Sequence, residues 1–115
     1  MRDVTTKPIA IEADLLLSAA SDWAAPGAVI TTALCGHWEH EGRCRWPHNS
    51  RIDTSVSPTV LRMLVIVDNA TQNEVVALVE RGLRDDGRWQ VMGFRVGAIT
   101  DSERALGDRL NNTDA

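Results

Sequence analysis

An apolar run of eight residues, Val60 to Val67, marks the centre of the predicted fold. β-Branched and aliphatic side chains fill it almost without interruption, which is typical of a strand covered on both faces. A helix signal follows, because Thr71-Gln72-Asn73-Glu74 fits a capping box. Beyond that box, apolar residues recur at helical spacing at Val75, Val76, Val79 and Leu83. The sequence therefore predicts a strand over residues 60–67 and a helix over residues 71–84.

A further strand is predicted from Trp89 to Ile99, where apolar and small residues alternate. The alternation assigns one set of residues to the core face, namely Met92, Phe94, Val96 and Ala98. It assigns Gly93, Arg95 and Gly97 to an open face. A second capping-box sequence, Thr100 to Glu103, begins a short helix that carries Ala105, Leu106 and Leu110. The segments from residue 60 to residue 99 thus predict a β-α-β unit.

The first half of the chain gives a different set of signals. A helix is predicted over residues 12–23, from apolar residues at helical spacing at Leu16, Ala19, Ala20 and Trp23. Pro26-Gly27 is expected to end it. The β-branched segment 29–38 predicts a strand. The polar segment 49–59 predicts a long loop.

These segments, with a short strand at residues 43–46, give the order α-β-β-β-α-β-α. We therefore expect an α+β fold with one mixed or mostly antiparallel sheet of about four strands and helices packed on one face. A chain of 115 residues is expected to form a single domain over residues 1–115. Residues 1–10 and 111–115 carry no pattern and are expected to fray.

Composition argues against two classes of partner. The formal net charge is −4, which gives no electrostatic basis for nucleic-acid binding. No stretch reaches the roughly 20 apolar residues that a membrane span needs. The compact apolar run at residues 15–20 follows Glu12 and Asp14 and lacks the basic flank of a signal peptide. We expect a cytoplasmic protein whose cysteines are thiols.

The segment from Cys35 to His48 holds both cysteines and all three histidines of the chain. It is predicted to form a β-hairpin that turns at Glu41-Gly42 and returns through residues 43–46. Thiolate and imidazole groups are suitable zinc ligands. The predicted metal site uses Cys35, His37 and His48, with His40 and Cys44 in reserve, and the cofactor that it implies is zinc.

The register of this hairpin decides whether those groups share a face. A two-residue loop puts Cys35, His37, Cys44, Trp46 and His48 on one side of the ribbon. A three-residue loop, with Gly42 in a bulge, moves the last three of these residues to the opposite side. Both registers agree with the sequence. In the first, three ligands and an open position would resemble a catalytic zinc site.

Other interpretations of the same segment need no metal. Both cysteines suit small buried positions, and the three histidines suit ordinary hydrogen-bonding roles. A redox pair, or a cysteine nucleophile activated by a histidine, would also use these groups. Tryptophans interleaved with arginines favour a contact surface, which predicts partner contacts at Trp38, Arg43, Arg45 and Trp46.

Two functional hypotheses follow. The first is a small non-catalytic binding or assembly domain that uses the segment 35–48 to contact a protein partner or a second copy in a homodimer. The second is a zinc-binding protein, and metal-assisted hydrolysis is then the expected reaction class. The sequence assigns no catalytic residues, and we lean towards the first hypothesis.

Overall fold

A computed structural model describes residues 6–17, 25–35 and 46–111. The four strands are β1 (Thr6–Leu17), β2 (His48–Asp53), β3 (Thr59–Asp68) and β4 (Trp89–Gly97). The helices are α1 (Ala25–Cys35), α2 (Gln72–Asp85) and α3 (Arg104–Asn111), and a single 3₁₀ turn, Asp101–Glu103, precedes α3. The order is β-α-β-β-α-β-α, and the architecture is α+β.

The strands form one antiparallel sheet in the order β2-β3-β1-β4. β1 lies inside the sheet and pairs with β3 on one side and β4 on the other, with Ala13 opposite both Leu61 and Phe94. The connection through α1 passes over β3, and the connection through α2 passes over β1. The two β-α-β units are therefore interleaved, as in the split β-α-β arrangement of ferredoxin-like folds.

The main core lies between one face of the sheet and the helices α1 and α2. Alternate residues of β1 and β3 point into it, from Ile9 to Leu15 and from Leu61 to Val67. Helix α2 contributes the stripe Val75, Val79 and Leu83, as its spacing predicts. Helix α1 contributes Ile30 and Leu34.

Helix α3 lies against the opposite face of the sheet. Three sheet residues on that face are buried, namely Ala10, Leu64 and Ile66. A methyl group on Gly107 would lie 3.1 Å from the Pro8 side chain, so the glycine allows α3 to approach β1 closely. The prediction that the helices share one face is therefore wrong for α3.

The second half of the chain follows the predicted pattern closely. Strand 60–67 and helix 71–84 are confirmed as β3 and α2, each within one residue at its ends. The Thr71 side chain makes no hydrogen bond that caps α2. The backbone N–H of Thr71 donates to the Asp68 carboxylate at 2.8 Å. At the second predicted box, the Thr100 N–H does donate to Glu103, at 2.8 Å.

The first half departs from the predicted pattern. Residues 12–23 were predicted to be helical, but β1 extends through Leu17, because Ile9, Ile11, Ala13 and Leu15 alternate into the core. Residues 29–38 were predicted to be a strand, but helix α1 runs from Ala25 to Cys35. Pro26 lies in its first turn, where proline suits a helix. Residues 18–23 and 36–38 of these two predictions lie outside the described residues.

The predicted loop 49–59 contains strand β2, whose alternating burial is typical of an edge strand. The predicted hairpin 35–48 lacks its first strand, because Cys35 is the last residue of helix α1. Its predicted turn at Glu41-Gly42 lies outside the described residues, and the hairpin that the structure describes joins β2 to β3. Of the predicted return strand 43–46, only Trp46 lies among the described residues. Within the described helices, none is long and apolar enough to cross a membrane.

The described parts of the two chain ends are ordered, although frayed ends were expected. Residues 6–10 belong to β1, and Thr6 donates through its hydroxyl to the Asn111 side chain at the end of α3. The N-terminal arm and the C-terminal helix are thereby joined. The remaining residues of the predicted frayed ends lie outside the described part of the chain.

Candidate functional site

His48 is the one predicted zinc ligand whose side chain the structure describes, at the start of β2. Its Nδ1 lies 3.0 Å from the Trp46 carbonyl oxygen, and its Nε2 lies 3.2 Å from the Thr31 hydroxyl. A carbonyl oxygen only accepts, so Nδ1 carries the proton, and in the neutral ring Thr31 donates to Nε2. His48 thus joins the start of β2 to helix α1.

The predicted metal site cannot have the hairpin geometry on which it was based. Cys35 is the last residue of α1, four positions after Thr31, and does not lie on a strand opposite His48. His37, His40 and Cys44 lie outside the described residues. Within the described ranges, no three histidine, cysteine or acidic side chains are grouped as metal ligands would be. The zinc site remains a prediction.

Of the four predicted contact residues, the structure describes one. Trp38, Arg43 and Arg45 lie outside the described residues. Trp46 is only 6% exposed and belongs to the main core. Its indole therefore stabilises the fold at the point where the chain enters β2.

The face of the sheet that packs against α3 also carries a row of alternating charges. Arg62 on β3 binds Glu12 on β1 at 2.9 Å and Glu103 at 2.6 Å. Arg95 on β4 binds both Glu12, at 2.8 Å, and Asp14, at 3.0 Å. Three of these groups lie on neighbouring strands at one level, because Glu12 pairs with both Arg62 and Arg95. No local spacing in the sequence predicts this row, because its members are far apart in the chain.

The hydrogen bonds in this row hold its acids in the charged form. Those from Arg62 lower the pKa of Glu103 to about 2 from an ordinary value of 4.5. Burial raises the pKa of Glu12, but hydrogen bonds from Arg62 and Arg95 lower it further than burial raises it. Hydrogen bonds from Arg95 also lower the pKa of Asp14. At neutral pH these acids therefore act as fixed anions that bind the arginines.

Strand β4 is one of the two edges of the sheet within the described residues, and it is the more apolar edge. Met92 is 57% exposed and Val96 is 42% exposed. Arg95 is the only charged residue of the strand, and its guanidinium is turned inward onto Glu12 and Asp14. Long, apolar edge strands offer unpaired N–H and C=O groups to another strand.

A β-bulge explains why Met92 is exposed when the sequence predicts it in the core. Val91 pairs with Leu15 and Gly93 pairs with Asp14, so Met92 is an extra residue with no partner on β1. Val96 pairs with Ile11 and keeps the predicted face, but it lies at the edge and is only partly covered. The two predicted core residues are therefore surface residues.

Two grooves on the described surface have different linings. One, of about 330 Å³, lies between α1 and α2 and is lined by Ala28, Val29, Thr32, Ala33, Gly82 and Arg88. The other, of about 250 Å³, lies between the end of β3 and the end of α3, and Asp68, Thr71, Thr6 and Asn111 are its polar residues. In the first groove, Arg88 is held by two hydrogen bonds to Asp86 and stacks on Trp89 at 5.3 Å.

Comparison of the chain with known protein families finds no matching family. Comparison with curated proteins finds no match either.

Proposed function

We propose that the chain is a non-catalytic binding and assembly domain, and that its contact site is the edge of β4 that no described strand covers. The observation that carries this proposal is the exposure of Met92 and Val96 on an edge strand whose one charged residue, Arg95, is bound to Glu12 and Asp14 of β1 while its side chain stays 49% exposed. A partner strand added to this edge would gain main-chain hydrogen bonds, and these two side chains would supply apolar contacts.

The contrast between the two edges supports this choice. β2 is six residues long, follows Pro47, and presents Arg51 and Asp53 to solvent. Short length, charge and a neighbouring proline are features that protect an edge from pairing. β4 is nine residues long, carries one charged residue and has no neighbouring proline, and a bulge interrupts its first half. The regular part available for pairing is Gly93–Gly97.

The segment 35–48, with Trp38, Arg43 and Arg45, is proposed as a further contact region of the same domain. Trp46 is not included, because its ring is buried in the core. The β4 edge is the primary proposal, since exposure and register of its residues support it directly.

Site-specific photo-crosslinking tests the proposed contact in cells that produce the chain. A benzophenone amino acid replaces Met92 or Val96 in two separate variants, and Ala77, exposed on α2, serves as the control position. We expect one discrete crosslinked product from each β4 position and none from position 77. Crosslinking that is equal at all three positions, or absent at both β4 positions, would contradict the proposal.

One contact favours zinc binding as the second candidate function. The Nδ1–H of His48 donates to a backbone carbonyl, which is how metal-binding histidines are commonly oriented. Zinc at Nε2 would replace the Thr31 hydroxyl, which lies 3.2 Å from that nitrogen. Elemental analysis of untagged protein, with melting curves in the presence and absence of a chelator, tests this function. Stoichiometric zinc and a lower Tm with chelator would support it, and His48→Ala should then reduce the zinc content.

A further inference from the structure

We infer that Met92 is a site of reversible oxidation by peroxides, and that the sulfoxide formed there weakens binding at the β4 edge. The modification itself follows from the surroundings of Met92. Its effect on binding rests on the proposed function, because it takes the β4 edge as the contact site. The inference adds a chemical state of the chain that decides how well this edge binds.

The two methionines that the structure describes differ completely in exposure. Met92 is 57% exposed, whereas Met63, in the middle of β3, is 0% exposed and belongs to the main core. Met1 lies outside the described residues. A peroxide has to reach the sulfur atom from solvent, so exposure decides which thioether reacts. The described part of the chain therefore holds one accessible thioether and one protected thioether.

The bulge in β4 accounts for the exposure of Met92. Val91 pairs with Leu15 and Gly93 pairs with Asp14, so no residue of β1 lies opposite Met92. β4 is also an edge strand, and no described strand covers its other side. An extra residue at a bulge can become more polar without the loss of a partner in the ladder. We therefore expect oxidation of Met92 to leave the fold intact.

The reaction transfers one oxygen atom from the peroxide to the thioether sulfur. The sulfur is oxidised by two electrons to a sulfoxide, and hydrogen peroxide is reduced to water. Methionine sulfoxide reductases reverse the change. In the reverse reaction the oxygen leaves as water, while a dithiol is oxidised to a disulfide. The modification is therefore reversible, with a peroxide as the oxidant and a dithiol as the reductant.

The sulfoxide changes one of the two side chains on which the proposed contact depends. Met92 and Val96 are the exposed large apolar residues of β4. Oxidation converts the apolar thioether of Met92 into a polar group. A partner that buries this side chain would then bury a polar oxygen, which is unfavourable without a hydrogen-bond donor opposite it. Oxidation should therefore weaken binding, and reduction should restore it.

Peptide mass spectrometry after treatment with hydrogen peroxide tests the modification. In the folded chain, we expect sulfoxide to form about tenfold faster or more at Met92 than at Met63. In the urea-unfolded chain the two rates should be equal, because neither sulfur is then protected. Equal rates in the folded chain, or faster reaction at Met63, would overturn Met92 as the modified site.

Photo-crosslinking from position 96 tests the effect on binding, because Met92 is intact in that variant. The purified chain is oxidised, the peroxide is removed, and extract of the cells that produce the chain is then added. We expect oxidation to lower the yield of crosslinked product about tenfold, and reductase treatment to restore it. The matched control carries Met92→Leu in addition, which keeps both cysteines and an apolar side chain at position 92. Its yield should not respond to peroxide.

The outcomes separate this inference from the proposed function. A yield that is unchanged by oxidation, or one that falls equally in the Met92→Leu control, would overturn the effect on binding and leave the β4 contact site standing. A Tm that falls on oxidation of Met92 would also overturn it, because the sulfoxide would then act through the fold. If position 96 captures nothing before oxidation, the proposed function is overturned and the effect on binding with it. The oxidation rates of Met92 and Met63 decide the modification in every case.

Discussion

Arg62 and Glu103 form a two-point ion pair, with Nε and one terminal nitrogen each 2.6 Å from a different carboxylate oxygen. This pair joins the middle of β3 to the turn that begins α3, and Glu103 is only 4% exposed. Arg51 and the Thr100 N–H also donate to Glu103. The carboxylate therefore holds α3 against the face of the sheet that carries the row of charges.

Replacement of Glu103 by Gln should lower the free energy of unfolding by about 2 kcal/mol at neutral pH, because it leaves a largely buried arginine with one anion fewer. The pH dependence gives a second test. Since the pKa of Glu103 is lowered from 4.5 to about 2, its stabilisation is complete above 4.5 and is lost as pH falls towards 2. Denaturant unfolding across that range should show a steeper loss in wild type than in Glu103→Gln.

The control for this prediction is Asp101→Asn in the same turn. Asp101 pairs with Arg104, but its side chain is 99% exposed, so solvent screens the pair. Its stability at neutral pH should match that of wild type. Equal pH profiles for wild type and Glu103→Gln would show that Glu103 is not the group that titrates.

Trp89 provides a second test of the fold. Its indole N–H donates to the Leu83 carbonyl oxygen at 2.9 Å, in the last turn of α2, where carbonyls lack partners within the helix. Trp89→Phe should lower the free energy of unfolding by about 1–3 kcal/mol, because a buried acceptor loses its donor. Urea denaturation measures this loss, and the exposed neighbour Gln90→Ala should show almost none. Equal stabilities would mean that the bond is unimportant.

Gly107 tests the packing of α3 on the sheet. Its missing side chain allows Pro8 and Ile99 to approach, each 3.1 Å from the position that a methyl group would occupy. Gly107→Val should destabilise the protein by about 1–3 kcal/mol through overpacking. Ala105→Val, at an exposed position of the same helix, controls for helix propensity. If both variants lose the same stability, α3 does not pack closely on Pro8.

His48 separates the structural role from the proposed metal role. If its ring only joins Trp46 to Thr31, His48→Gln should lower stability in chelator-treated and zinc-supplemented protein by the same amount. If the ring binds zinc, the loss should be larger in the zinc-supplemented protein, because metal binding to the folded state stabilises it. Paired melting curves for wild type and variant distinguish the two results.

The sequence predicted the second half of the fold because local signals agree with the tertiary structure there. The run from Leu61 to Val67 is buried on both faces, so its composition alone indicates a central strand. The stripe on α2 points to one core, so its period is clean. Met92 was misplaced because the bulge depends on pairing with β1, which alternation within β4 cannot reveal.

The first half of the sequence predicts the wrong elements because local propensity and tertiary packing disagree there. Leu15-Leu16-Leu17 favours a helix by composition, yet β1 is a strand because Ile9, Ile11, Ala13 and Leu15 alternate into the core. Val29 to Thr32 is β-branched and favours a strand, yet α1 forms because Ile30 and Leu34 complete the core. β2 resembled a loop because protected edge strands are polar.

The candidate site could not be predicted from local spacing, because its exposure depends on how the strands pair. The segment 35–48 is distinctive in sequence because of its cysteines and histidines, whereas the proposed contact residues Met92 and Val96 are ordinary apolar residues. Only the strand order shows that they lie on an edge. Their exposure is a property of the sheet and of the bulge, and no motif encodes it.

Amide chemical shifts of the isotope-labelled chain, recorded by NMR as unlabelled extract of the cells that produce it is added, test most directly whether β4 is the contact edge. The account predicts changes in residues 89–97 and in the adjoining part of β1, and constant shifts in β2. Val96→Lys should abolish those changes, and Val56→Lys, at an exposed position in the loop after β2, should leave them intact. Changes centred on β2 or on the α1–α2 groove, or no change at any amount of extract, would contradict binding through β4.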